Sequence, residues 1–320
     1  MKSTTQRRMF SLLLSLVMLF SLLPALGSTA SAAGSGTTES DPKIVTTYAE
    51  LSSALSSGVA YVKLGANITT KELNDGAGYT KSIVQTGKVT LDLDGYSVTF
   101  FSRTSPLPAA IRVKGDLSVK DSRGGGKLYI DANPNTASSK QVLILAETGS
   151  FTLNSGRIGV DNGLAKNIIV VVEGKGDAKV VFNGGKVDAI SPMVGIPYVY
   201  SALLSSGCKA EFNGGEFEGL VGFTYATRTD GKSKPNAVIN GGKFKGGIVV
   251  KKGSETITLG RSFPISIQGG SFGRGLFTEN FALSSSEQTP ENLAFAAMFP
   301  ERTALLRPDE RPRLIYRQKD

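Results

Sequence analysis

The chain has 320 residues, 36 Lys and Arg against 27 Asp and Glu, a net charge of +9, one Cys, no Trp and no His. The missing His excludes Ser/His and Cys/His nucleophile systems and His-rich metal sites, and a lone Cys excludes an internal disulfide. The positive balance is mild and lacks basic stretches interleaved with aromatics, so nucleic acid is not an expected partner.

Residues 1–32 read as a signal peptide. Lys2, Arg7 and Arg8 form a basic start, "MFSLLLSLVMLFSLL" is an apolar core short for a membrane span, and "ASA" at 30–32 suits cleavage before Ala33. The expected protein is secreted or held at the cell surface, with no membrane span after signal removal. Without the three signal cations the net charge falls to about +6, since no acid precedes Glu39. Residues 33–43, including "AGSGTTESDP", read as a flexible lead.

A short helix is predicted near 47–57. Thr47 and Glu50 form a capping box, Tyr48, Leu51, Ala54 and Leu55 share one face, and Gly58 stops it. The helix suits the role of an N-terminal cap. "VKLGANIT" from Val62 reads as a degenerate first turn of a repeat. "LDLDGYSV" from Leu91 puts Asp94 and Gly95 at a corner, and "LSVKDSRGGGKLYI" from Leu117 carries a longer one.

The repeat then becomes explicit. "FTLNSGRIGV", "VVFNGGKVDA", "AEFNGGEFEG", "AVINGGKFKG" and "ISIQGGSFGR" align on Asn154, Asn183, Asn213, Asn240 and Gln268, at intervals of 29, 30, 27 and 28. The preceding column is Leu153, Phe182, Phe212, Ile239 and Ile267. Four residues after the reference stand Ile158, Val187, Phe217, Phe244 and Phe272. Both columns are apolar, and Arg157, Lys186, Glu216, Lys243 and Ser271 lie between them. Alternation on both sides of Asn-Gly-Gly marks two half-buried strands joined at a corner, because Asn and Gly accept positive φ at little cost. Third strands follow in "QVLILAE", "NIIVVVEG", "YSALLSS" and "GGIVVKKG".

Three short strands per copy, with no helical return segment and no leucine-rich line, predict an all-β, right-handed parallel β-helix (solenoid) over 44–275 with a short N-terminal capping helix. Stacked coils should bring Phe217, Phe244 and Phe272 together, set Phe182 on Phe212, and form a ladder of buried corner amides at Asn154, Asn183, Asn213, Asn240 and Gln268. Cys208 reads as a small buried apolar residue. Residues 276–320 are expected to hold a cap segment, with a helix at "TPENLAFAAMF" sealing the far end, followed by a basic, proline-punctuated tail.

The coil pattern resembles the pectin-lyase-like right-handed parallel β-helix superfamily. More narrowly, "VTLDLDGYSVTF", "LSVKDSRGGGKL", "FTLNSGRI" and the "NGGKF" copies resemble secreted or surface β-helix proteins of Gram-positive bacteria. The resemblance implies a fold, and it leaves open either a structural surface role or a polysaccharide lyase or hydrolase. The chain has no LPxTG and no hydrophobic C-terminal tail, so covalent wall anchoring is not expected.

Asp188 and Glu218, each five residues after the reference on neighbouring coils, form the catalytic candidate. Outward-facing carboxylates about 5 Å apart suit a retaining glycosidase. The competing reading is a charge ladder, Lys186 to Glu216 to Lys243 and Glu218 to Lys245, which keeps an exposed sheet soluble and in register. The ladder is the preferred reading and no catalytic residue is assigned. Lys186, Glu216 and Lys243, with Tyr198, Tyr200, Tyr225 and Arg228, are candidates for contacting a glycan. No metal site and no cofactor is expected; calcium enters only with a lyase, and Asp94 beside Asp92 reads first as a turn former. The chain is expected to be a monomer whose partner is extracellular polysaccharide or cell wall.

Overall fold

A computed structural model describes residues 34–70, 82–102, 109–132, 140–162, 168–189, 199–205, 207–225, 236–252, 265–272 and 276–279. The strands form three sheets, one of nine and two of eight. The first sheet runs from Lys43–Val45 to Ile265–Ile267, the second from Ile68–Thr69 to Ser271–Phe272, and the third from Ile83–Gln85 to Leu276–Glu279. Beyond the first strand, the chain visits the three sheets in turn, and every pairing between named strands is parallel. The architecture is a parallel β-solenoid.

Register places like positions of the repeat on one another. Leu153, Phe182, Phe212, Ile239 and Ile267 pair in succession on the first sheet. Ile158, Val187, Phe217, Phe244 and Phe272 do so on the second. The core follows from this. Phe217 and Phe244 stack with ring centroids 4.8 Å apart, Phe182 and Phe212 at 5.1 Å, and Phe182 meets Phe217 edge-on across the interior at 5.0 Å. All four are fully buried, and each such side chain contributes roughly 1.5–3 kcal/mol by leaving water. The side chain of Phe272 lies outside the described residues. Cys208 is buried in the same core, and burial pushes its thiol up to about 12.

The two glycines of each corner answer different constraints. A Cβ on Gly184, Gly214 or Gly241 would come within 2.6, 2.6 and 2.8 Å of the Asn carbonyl oxygen one coil earlier. The following glycines, Gly185, Gly215 and Gly242, have φ of 79, 98 and 108°, where an L side chain is strained.

The corner amides form a ladder. Asn183 Nδ2 donates to Asn154 Oδ1 at 2.8 Å, Asn213 to Asn183 at 2.9 Å and Asn240 to Asn213 at 2.7 Å, while Asn154 Nδ2 donates to Ser118 Oγ at 2.8 Å. Among the described residues no side-chain bond extends it to Gln268. The rungs are exposed, not buried as the sequence pattern suggests. The apolar residue before each Asn points into the core, so alternation turns the amide to solvent.

Earlier corners are longer. Register sets Leu91 and Val119 level with Leu153, and Ser97 and Lys127 level with Arg157, so Asp92 and Lys120 occupy the level of Asn154. The expected place of Asp94 in that column is therefore two residues off. Asp94 does form the turn, with φ at 46°.

The helix occupies Tyr48–Ser56. Glu50 N donates to Thr47 Oγ1 at 3.3 Å, and Thr47 N donates to Glu50 Oε2 at 3.1 Å. Leu51, Ala54 and Leu55 enter the core, with Tyr48 packed against it. The segment expected as a flexible lead is a closed turn from Ser35: Asp41 Oδ2 accepts from Ser35 N at 3.0 Å and Ser35 Oγ at 2.6 Å, and Gly36 O accepts from Tyr61 N at 2.9 Å. Its polar side chains satisfy one another, which closes the turn. The signal-peptide reading of residues 1–32 and the terminal helix and tail expected beyond 279 lie outside the described residues. Among those described, no helix is long and apolar enough to cross a membrane.

Candidate functional site

The predicted site residues gather on the outer face of the second sheet. Lys186 pairs in register with Arg157 and Glu216, and Glu216 with Lys243. Lys186 Nζ lies 3.0 Å from Glu216 Oε1, 2.8 Å from Glu218 Oε1 and 3.5 Å from Asp188 Oδ1. Lys245 Nζ lies 2.8 and 2.9 Å from the same Glu216 and Glu218 oxygens. Two ammonium groups thus clamp two carboxylates. The net differs from the expected ladder in two ways: Lys186 also reaches Glu218 and Asp188, and Glu216 takes Lys245, while Lys243, though level with Glu216, enters no ion pair among the described residues.

Asp188 departs further from expectation. It is only 8% exposed, where the repeat pattern turned it to water. Arg157 Nε donates to Asp188 Oδ2 at 2.8 Å, and the Tyr129 hydroxyl donates to the same oxygen. Tyr129 and Asp188 both pair in register with Gly159, which has no side chain to separate them. A Cβ there would fall 2.2 Å from the Asp188 carbonyl oxygen. Gly159 is therefore the gap that lets Tyr129 reach across one coil. The gap was visible as a glycine within a strand; the place of Tyr129 was hidden by the longer preceding corner.

Electrostatics follow from these contacts. Burial alone would raise the Asp188 carboxyl, but Arg157, Tyr129 and Lys186 outweigh it and hold it below the ordinary range. Lys245, and then Lys186, hold Glu216 down to about 2. Glu218 and then Glu216 raise Lys186, Glu216 and then Glu218 raise Lys245, and Asp188 raises Arg157. Burial, then Asp188, raises the Tyr129 hydroxyl.

A retaining glycosidase needs one carboxyl kept protonated near working pH, and a lyase base of the Lys or Arg type needs a depressed pKa. Asp188 and Glu216 are shifted the opposite way from an acid, and Lys186, Lys245 and Arg157 the opposite way from a base.

The remaining candidates are dispersed. Tyr200 is 3% exposed and packs with Val142, Leu145 and Val170 on the third sheet, so it offers no open face for a sugar ring. Tyr225 ends the strand Leu220–Tyr225, but its side chain, like Tyr198 and Arg228, lies outside the described residues. Asp92 Oδ1 accepts from Asp94 N and Ser122 N, both at 3.0 Å, and Asp94 Oδ1 accepts from Ser122 Oγ at 3.0 Å beside Lys63 Nζ at 3.1 Å. These carboxylates brace a corner. Among the described residues no group of three or more acidic, His or Cys side chains is arranged to hold a metal ion.

No protein-family model matches the chain, and no curated protein or solved structure matches it.

Proposed function

We propose that the protein is a secreted, non-catalytic β-helix that serves at the cell surface or outside the cell as a structural or adhesive module, with weak affinity for a glycan. The observation that carries this reading is the closed ion-pair net on the second sheet. In it Asp188 and Glu216 are held ionised and Lys186, Lys245 and Arg157 protonated, which suits a soluble, register-fixing face better than proton transfer. The basic, apolar start of the chain supports export. The likeness of its corner phrases to pectin-lyase-like solenoids, and to surface proteins of Gram-positive bacteria, supports the place proposed for it. The partner proposed is a polysaccharide or the cell wall, bound without a cofactor by a monomer.

The alternative is a polysaccharide lyase or glycoside hydrolase acting through Asp188 and Glu218, or through a Lys or Arg base with calcium. Incubating the protein with acidic and neutral polysaccharides, with and without calcium, separates the two. Binding on a glycan array without new reducing ends or unsaturated products supports the module. Cleavage that Asp188→Ala abolishes, while the variant stays folded, replaces it with the enzyme.

A further inference from the structure

The closed turn from Ser35 ends on the one Asp–Pro bond of the chain, Asp41–Pro42. A peptide link of this kind is weak in acid for two reasons. The proline nitrogen belongs to a tertiary amide and leaves as a secondary amine, and the aspartate carboxylate reaches its own carbonyl carbon by closing a small ring, with no encounter to make.

The fold sets the reacting groups of this bond in place. Gly36 N donates to Asp41 O at 2.9 Å, the carbonyl oxygen that gains charge when its carbon is attacked. Ser35 N and Ser35 Oγ donate to Asp41 Oδ2 at 3.0 and 2.6 Å, while Oδ1 takes no hydrogen bond among the described residues. One carboxylate oxygen is thus anchored and the other is free to attack. The Ser35 hydroxyl, and then the Ser35 amide, hold the Asp41 carboxyl below the ordinary carboxylate range, so it keeps its nucleophilic form in mild acid.

Gly36 is held in turn by the solenoid. It is buried with φ at 73°, a Cβ on it would fall 2.3 Å from Val59 Cγ1, and its carbonyl accepts from Tyr61 N at 2.9 Å. The donor to the scissile carbonyl is therefore fixed by strands outside the turn. Asp41 itself is exposed, so water and acid reach the bond.

We propose that the protein cleaves its own chain between Asp41 and Pro42 in mild acid, with Asp41 as the nucleophile and the Gly36 amide as the donor to the oxyanion. Asp41 Oδ1 bonds to the Asp41 carbonyl carbon, and the carbonyl oxygen takes the negative charge against Gly36 N. The Pro42 nitrogen takes a proton from solvent, the carbon–nitrogen bond breaks with its electron pair going to nitrogen, and the carbonyl reforms. The cyclic anhydride left on Asp41 then adds one water, which restores the side-chain carboxylate and creates a new α-carboxylate. Among the described residues, the polar ties of the departing piece to the solenoid are the Tyr61–Gly36 hydrogen bond and the ion pair of Glu39 with Lys120. The piece leaves, and Pro42 becomes the first residue. This inference is independent of the function proposed above.

The test holds the full-length protein at about pH 4.5, close to the ordinary carboxylate range, beside a synthetic peptide of residues 34–46, and follows both by intact mass and N-terminal sequencing. The expected product begins at Pro42 and forms at least severalfold faster in the protein than in the peptide. Asp41→Asn should abolish it, and Ser35→Ala, which frees the carboxylate without altering the scissile bond, should slow the protein toward the rate of the peptide. No product beginning at Pro42, equal rates in protein and peptide, an undiminished rate in Asp41→Asn, or a rate indifferent to Ser35→Ala would overturn the assignment.

Discussion

The bend between the first and second sheets is built in two ways along the solenoid. In the earlier coils it is long and braced by carboxylates: Asp121 Oδ1 takes Gly95 N at 2.8 Å, Oδ2 takes Gly126 N at 2.7 Å, and Asp92 and Asp94 hold their own turn and Ser122. In the later coils it shrinks to Asn-Gly-Gly. There the glycines let backbones approach closely, and the amides bond from coil to coil. Where the corner is roomy, side chains must satisfy its loose backbone groups; where it is tight, removing side chains lets the backbone satisfy itself. The junction shows the change. Ser155 stands where later copies have glycine, and its hydroxyl accepts from Asp121 N at 2.8 Å, joining the last carboxylate corner to the first Asn corner.

This contrast can be broken at its steric end first. Gly214→Val places a side chain against Asn183 O, and about 3 kcal/mol of stability should be lost, read from the midpoint of urea unfolding. Asp121→Ala, at the carboxylate end, strands two backbone N–H groups and should cost about 2 kcal/mol, with Asp121→Asn recovering part of it. Asn213→Ala removes an exposed rung whose neighbours can turn to water, so its cost should stay below about 1 kcal/mol. If Asn213→Ala proved as damaging as Asp121→Ala, the two corner types would not differ as described.

The smallest effect concerns pH. The Asn ladder does not titrate, so acid sensitivity in the later coils should come from the ion-pair net beside it. Glu216, ordinarily near 4.5, is held to about 2 by Lys245 and then Lys186, and Asp188 is also lowered. Groups depressed on folding stabilise fully above their unfolded values, and that contribution fades as pH falls through the folded ones. The melting temperature should therefore decline as pH drops from about 4.5 toward 2, with a shallower slope in Asp188→Asn/Glu216→Gln. Tyr129, raised by burial and then Asp188, sets the opposite limb: its contribution holds below its ordinary 10.0 and is lost at higher pH. A Tyr129→Phe variant with an unchanged alkaline limb would remove Tyr129 from that account.

The solenoid was legible because its columns repeat. Leu153, Phe182, Phe212 and Ile239 keep one spacing to the corner, and burial acts on every copy alike. The capping helix was legible for a local reason, since Thr47 and Glu50 satisfy each other within one turn. Features that depend on unequal copies were not legible. Two extra residues in an early corner moved Asp94 out of the column, and the longer corner before Lys127 concealed that Tyr129 stands one coil from Gly159. The burial of Tyr200 was not legible for a different reason: a sequence pattern can say which face a residue occupies, not whether that face meets water. The ion-pair net lies between these cases. Its members were found from the repeat, but which ammonium meets which carboxylate depends on flexible side chains, and Lys245 displaced Lys243.

The Asn-Gly corners also bear on how the protein ages. Asn followed by Gly is prone to spontaneous deamidation: the glycine nitrogen, on losing its proton, attacks the side-chain carbonyl carbon, ammonia leaves, and water opens the resulting succinimide to aspartate or isoaspartate. Here Gly184 N, Gly214 N and Gly241 N donate to Leu153 O, Phe182 O and Phe212 O at 3.4, 3.1 and 3.0 Å, so the attacking atoms are tied to the coil beneath. Loss of ammonia at Asn183, Asn213 and Asn240 should then be far slower in the folded protein than in peptides of the same sequence, and mass-spectrometric mapping of long-stored samples would expose equal rates. The shelf life of these residues is thus governed by how seldom adjacent coils part.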